Sequence, residues 1–314
     1  MGRWSILDVD QVCTIGAQHP SRKHPQQKNE TARSIRREIR TKSVACRSEP
    51  SDRSRDTTIP RTGNRRTLHE DCGRTYTLRE SEIRAMSDIG RFRTVDAHDL
   101  ACFAYKSDER RMNQDIRNLR TQGLLEEKTL LRAHRQPRRI LALTAPGHRM
   151  VQKNAGLSSD QRIYHGFVKV RDTNHDADLY KVYQQATENI RNGGGRPIRV
   201  RLAFELKAAI NRNKEAAGQL SEGQRAKWLK AIAEYHGLTL AGSTIHVPDI
   251  QVEYETPEGE IARANLELVS ENYRGEAIRA KAESGFKVYA RTGDASRVRR
   301  ALQNSGIVQE IVSI

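Results

Sequence analysis

The feature that most constrains this chain is a break in its apolar pattern near Thr77. Upstream of the break, large apolar side chains are few and show no helical or strand period. Downstream, short amphipathic segments follow one another almost to the C-terminus. Fixing a residue's backbone costs roughly 1–2 kcal/mol, and only buried apolar area offsets it. Residues 1–75 are therefore expected to be a disordered tail. With 16 Lys or Arg against 9 Asp or Glu, that tail is basic. It reads as a DNA-touching arm, as a passive tail, or as upstream sequence translated from an over-early start codon.

Charge divides unevenly over the rest. The whole chain of 314 residues has 55 Lys or Arg and 39 Asp or Glu, a net charge of +16. Residues 76–155 contribute 16 basic and 10 acidic residues, whereas 156–314 contribute 23 and 20. Such a basic balance attracts phosphates, so nucleic acid is the expected partner and the first half is the expected contact. No apolar run approaches the ~18 residues of a membrane span, and none follows the early charges as a secretory signal would. A cytoplasmic protein without a membrane partner is expected. Cys13, Cys46, Cys72 and Cys102 form no CxxC pair, which disfavours a zinc finger and suits reduced thiols. There is no GxSxG and no GxxxxGK[ST] loop, so a serine hydrolase or an ATPase is not expected. A relaxase-type His cluster is also missing.

The first patterned region, 76–155, opens on a capping box at Thr77-Leu78-Arg79-Glu80. Ile83, Met86 and Ile89 follow at helical spacing. A second helix is expected over 96–105, and a third behind the N-cap Ser107. In the third, Met112, Ile116 and Leu119 share the core face. Arg110, Asn113, Gln114, Arg117 and Thr121 share the opposite face, flanked by Arg111 and Arg120. Two apolar strands, Leu124–Leu131 and Ile140–Thr144, enclose a basic loop at 132–139 that holds Arg135, Arg138 and Arg139. Three helices and a basic hairpin resemble the winged helix-turn-helix family. The resemblance implies that residues 108–121 are a recognition helix reading base edges and phosphates, with 132–139 as a wing on the backbone.

A linker is expected at 156–162, and a second region at 163–314. Its helix at 175–192 ends at Gly193-Gly194-Gly195. A strand Ile198–Phe204, a helix from Glu205, and a helix Ser221–Tyr235 follow. Then Val247-Pro248-Asp249-Ile250 enters an extended segment, turns at 257–260, and returns along Ile261–Val269 carrying Glu267. A helix with Lys281, a strand, a helix and a strand complete the chain.

A hairpin presenting Pro-Asp on one strand and Glu on the next resembles the PD-(D/E)xK nuclease superfamily. The resemblance implies Asp249 and Glu267 as carboxylates for Mg²⁺, Glu205 as an added acidic residue, and Lys281 as the catalytic lysine. Val269 stands where Glu-x-Lys would place that lysine. The order of the whole, including Asn265–Arg274, Lys281 and Phe286-Lys287-Val288-Tyr289, resembles the replication-relaxation family of bacterial plasmids and integrative elements. The fold expected is therefore α+β and multidomain: a disordered basic tail, a winged helix-turn-helix, and a mixed-sheet, restriction-endonuclease-like domain. The function implied is DNA binding in plasmid replication or mobilisation, with a degenerate nuclease-like domain. Two alternatives stay open: an active Mg²⁺-dependent endonuclease, and a winged-helix transcriptional regulator. The implied partners are double-stranded DNA, a second copy of the chain, and the element's replication or mobilisation proteins.

Overall fold

A computed structural model describes residues 65–132, 135–167, 170–214, 220–269, 275–304 and 311–314. Most of the expected tail, residues 1–64, lies outside the described residues. Its last part is not a tail. Strands β1 (Thr67–Asp71) and β2 (Arg74–Leu78) form an antiparallel hairpin with Asp71 paired to Arg74. The two turn residues, Cys72 and Gly73, have φ of 48° and 74°. A two-residue hairpin turn of this hand needs positive φ at both positions, which Gly supplies freely and Cys does not. Tyr76 and Leu78 point inward from β2. Arg149 Nε bonds Asp71 Oδ2 at 2.9 Å, tying the hairpin down.

Helix α1 (Glu80–Arg91) starts two residues later than the capping-box reading, because Thr77 and Leu78 belong to β2. Its N-cap is Arg79, whose backbone N–H donates to Glu82 Oε2 at 2.6 Å. After β3 (Thr94–Asp96), Asp96 caps α2 (Ala97–Ala104) by accepting from His98 N at 2.9 Å. Asp108, one residue beyond the expected Ser107, caps α3 (Glu109–Thr121) by accepting from Arg111 N at 2.9 Å. Helix α3 buries Met112, Ile116 and Leu119, as their spacing requires. It also buries Asp115, which accepts from Arg79 Nη1 (2.9 Å), Ser81 Oγ (2.7 Å) and Tyr105 Oη (3.1 Å). Those bonds satisfy a carboxylate that would otherwise be costly to bury. Strands β4 (Leu125–Arg132) and β5 (Arg135–Leu143) make the long hairpin, in a sheet of order β3-β5-β4. Helix α4 (Ala145–Asn154) follows, capped by Thr144.

The expected linker packs closely. Gln161 Oε1 accepts from Val200 N (3.0 Å), and its Nε2 donates to Val200 O (3.2 Å). Tyr164 N donates to Gly90 O, and Ile163 enters the core.

The remaining elements are α5 (Val170–Asn192), β6 (Arg196–Leu202), α6 (Ala203–Lys214), α7 (Glu222–His236), a small hairpin of β7 (Leu240–Ala241) and β8 (Thr244–Ile245), β9 (Ile250–Glu255), β10 (Ile261–Val269), α8 (Gly275–Glu283), β11 (Lys287–Ala290), α9 (Ala295–Asn304) and β12 (Ile311–Ser313). The five-stranded sheet has the order β12-β11-β10-β9-β6. Strands β6, β9 and β10 are antiparallel neighbours, whereas β10, β11 and β12 run parallel. Parallel neighbours need crossovers, and α8 and α9 lie in those two connections. These two helices and the parallel strands enclose a small core of Val269, Ile278, Val288, Val298 and Leu302.

Helix α5 lies between the two sheets. Leu179, Tyr180, Val182, Tyr183 and Ala186 join a cluster that contains Val200, Ile250 and Leu266 of the larger sheet. The same cluster contains Phe92, Leu100 and Leu141 of the first region. Phe92 meets Tyr180 edge-on at 5.5 Å between ring centres, and Phe103 meets it at 6.0 Å. The architecture is thus mixed α+β, with two main sheets that share one apolar core.

Candidate functional site

Two groups of side chains stand out, one on α3 and one at the start of β9. On α3, Arg110, Gln114, Arg117 and Thr121 are exposed along one face. Among the described residues, Arg110, Gln114 and Arg117 have no side-chain hydrogen bond or ion pair. The other expected contacts are engaged. Arg120 Nη1 pairs with Glu127 Oε2 at 3.0 Å. Arg139 Nε pairs with Glu127 Oε1 at 2.9 Å, and its Nη1 donates to Asn113 Oδ1 at 2.8 Å. These guanidinium groups hold the Glu127 carboxyl below the usual carboxylate range. Arg111 is half-buried.

Arg138 departs furthest from its expected place on the wing. It turns inward and contacts Asp96 through Nε, Asp178 Oδ1 at 2.9 Å through Nη1, and Asp99 Oδ2 at 3.8 Å through Nη2. Alternation along β5 explains the reversal: Arg139 lies on the face shared with α3, and its neighbour must point the other way. Arg291 Nη2 reaches the same Asp178 at 2.6 Å. Asp178 therefore joins the long hairpin to the β11–α9 turn. The side chain of Arg135 lies outside the described residues.

The second group forms where β9, β10, α5 and α8 meet. Pro248 ends the approach to β9, leaving Asp249 just ahead of the strand. Asp249 N donates to Glu267 Oε2 at 3.2 Å, and Leu268 N donates to Asp249 Oδ2 at 3.0 Å. The two carboxylates are thus held by each other's strand. Lys281 reaches in from α8, with Nζ 3.1 Å from Glu267 Oε1 and 2.6 Å from the Val247 carbonyl. Glu267 is fully buried, so this ammonium supplies the charge that makes its burial tolerable. From α5, His175 Nε2 lies 3.4 Å from Asp249 Oδ1. Burial works against the imidazolium, but the Asp249 contact, with Asp176 and Asp178 nearby, raises the His175 pKa above its usual value.

Asp249, Glu267 and Lys281 therefore come together, and His175 joins them. His175 lies in the second turn of α5, and no spacing in the sequence tied it to Asp249. Glu205 is placed differently. It caps the first turn of α6 by accepting from Leu202 N at 3.1 Å, and its neighbouring charge, after burial, helps push the Tyr164 hydroxyl pKa up. A backbone bond, Ala203 N to Asp249 O at 2.9 Å, links the two places.

Mg²⁺ takes hard oxygen ligands and usually only one or two carboxylates, completing its shell with water. Asp249 and Glu267 match that donor type and number. Among the described residues, no group of three or more His, Cys, Asp or Glu is arranged to hold a metal ion. No described helix is long and apolar enough to cross a membrane. No family model, curated protein or solved structure matches the chain.

Proposed function

We propose that the protein binds double-stranded DNA by laying α3 in the major groove, and that it serves replication or mobilisation of a bacterial mobile element. The observation that most supports this reading is the outward face of α3. Arg110, Gln114 and Arg117 stand one turn apart, exposed and, among the described residues, without a side-chain hydrogen bond or ion pair. Fork-shaped guanidinium and carboxamide groups suit the paired acceptors and donors of guanine and adenine edges. The mixed +6 charge of residues 76–155 favours the same surface. The wing takes a smaller part than its sequence implies, because Arg138 and Arg139 are spent on carboxylates. The test is fluorescence anisotropy of the full chain with a duplex library, against an Arg110→Ala, Arg117→Ala variant. Each lost base contact should cost about 1–3 kcal/mol and relax sequence preference. Equal binding by wild type and variant would overturn the reading.

A second reading, a Mg²⁺-dependent endonuclease, is favoured by one observation: Lys281 approaches Glu267 despite Val269 standing in the usual lysine position. Asp249 and Glu267 would hold the cation, which would supply Lewis acidity toward a scissile phosphate. Lys281 neutralises Glu267, and His175 orients Asp249. Cleavage that needs Mg²⁺ or Mn²⁺ and disappears in Glu267→Ala, with DNA binding kept, would establish this reading. Binding without cleavage in either protein would leave the nuclease-like arrangement a scaffold.

A further inference from the structure

Arg201 is a buried cation that forms no ion pair with a carboxylate among the described residues. On β6, Val200 and Leu202 face the apolar core, so Arg199 and Arg201 face the opposite side of the sheet. Arg199 finds carboxylates, Asp160 Oδ2 at 3.4 Å and Glu253 Oε2 at 3.7 Å. Arg201 is only 8% exposed, yet no carboxylate of the described residues comes within the 4.0 Å of an ion pair, and Glu205 and Glu253 act on it only from farther off. Its Nη atoms meet only neutral groups, Gln251 Oε1 and His236 Nδ1, both at a long 3.4 Å. Among the described residues, its Nε has no hydrogen-bond partner. Burial, with repulsion from Arg199, lowers the Arg201 pKa, and burial with Arg201's own charge lowers that of His236. Native proteins rarely leave a buried charge in this state unless something else completes it.

The space beside Arg201 indicates what that is. A cavity of about 280 Å³ has Arg201 and Glu205 on its floor, Arg199 on its wall, and Arg162, Arg212 and Asp160 at its exposed rim. Four guanidinium groups against two carboxylates leave it electropositive. It lies just below the ~300–1,000 Å³ of sites that enclose a whole small molecule, so it suits one compact anion. Planar guanidinium forks converging from several sides match the oxygens of a phosphate. None of Asp249, Glu267 and Lys281 lines it.

We propose that this cavity is a phosphate-binding site, in which Arg201 donates from the floor and Arg162 and Arg212 close over the anion from the rim. The phosphate is either part of a nucleic acid, at a strand end or within the backbone, or a free phosphate. The site does not depend on α3, so it stands or falls separately from duplex recognition.

The experiment is thermal unfolding and calorimetric titration of the full chain with inorganic phosphate, using chloride at matched ionic strength as control. Wild type should bind phosphate and melt at a higher temperature in it. Arg201→Gln should lose ~10-fold or more in phosphate affinity. Without phosphate it should melt no lower than wild type, since it removes an unneutralised charge. Arg212→Gln, at the exposed rim, should lose a smaller part of the affinity with an unchanged melting temperature. Short single strands with and without a 5′-phosphate then separate the sources. An Arg201-dependent preference for the phosphorylated strand assigns the site to a strand end. Equal Arg201-dependent binding of both strands assigns it to the backbone, and dependence for inorganic phosphate alone assigns it to the free anion. Phosphate binding that is absent in wild type, or unchanged in Arg201→Gln and Arg212→Gln, overturns the proposal.

Discussion

Replacing Asp99 with Asn is expected to stabilise the protein above neutral pH and to do nothing in acid. Asp99 sits among Asp96, Asp178, Arg138, Lys181 and Arg291 around a cleft of about 420 Å³. Burial first, and then the Asp96 charge, raise its pKa from 3.8 to about 6, against the pull of Lys181 and Arg138. At ~1.4 kcal/mol per pKa unit, that difference corresponds to about 3 kcal/mol held against the ionised form. The folded carboxyl keeps its proton to a higher pH than the unfolded one. Stability therefore falls as pH rises from 3.8 to about 6, and the whole cost is present above that window. Asn carries no charge at any pH and escapes the cost. In pH-resolved thermal unfolding, Asp99→Asn should melt about 6–12 °C above wild type on the alkaline side. The two curves should converge below 3.8. A variant that melts lower than wild type above neutrality would refute the reasoning. It would mean that the 3.8 Å contact with Arg138 outweighs burial.

Two further substitutions probe the same frame. Arg138→Ala leaves Asp96 and Asp178 without their shared cation and should cost about 3–5 kcal/mol in denaturant unfolding; a loss under ~1 kcal/mol would make these pairs incidental. Gly147→Ala places a Cβ 2.0 Å from the Leu124 carbonyl oxygen, a backbone atom that cannot swing aside, and should cost about 1–3 kcal/mol; an unchanged melting temperature would show that α4 shifts freely.

The apolar spacing of the chain carried most of its architecture. Met112, Ile116 and Leu119 lie inward on α3, and the run from Asp249 through Glu267 to Lys281 forms the strand pair and helix its pattern implies. What stayed hidden was polar. The β1–β2 hairpin has charged strands and a Cys-Gly turn in place of Asn-Gly, so it looked like the tail before it. Arg138 and Arg139 are adjacent and chemically alike, and only strand alternation and distant acids decide which turns inward. The partners Asp96 and Asp178 lie 42 and 40 positions from Arg138 along the chain, beyond any local pattern. Arg201 was one of several basic residues in an alternating strand, and its lack of an ion pair among the described residues became visible only with its neighbours in place.

The sharing of α5 bears on how such a chain can change. A gene cut between residues 155 and 170 would yield two products, neither of them with a closed interior. One would present Phe92 and Phe103 to water, the other Tyr180 and Tyr183. The two sheets are therefore not exchangeable modules, and recombination at that point should give insoluble halves. Drift in the aromatic residues on one side must be answered on the other, so the two halves should be inherited as a single piece.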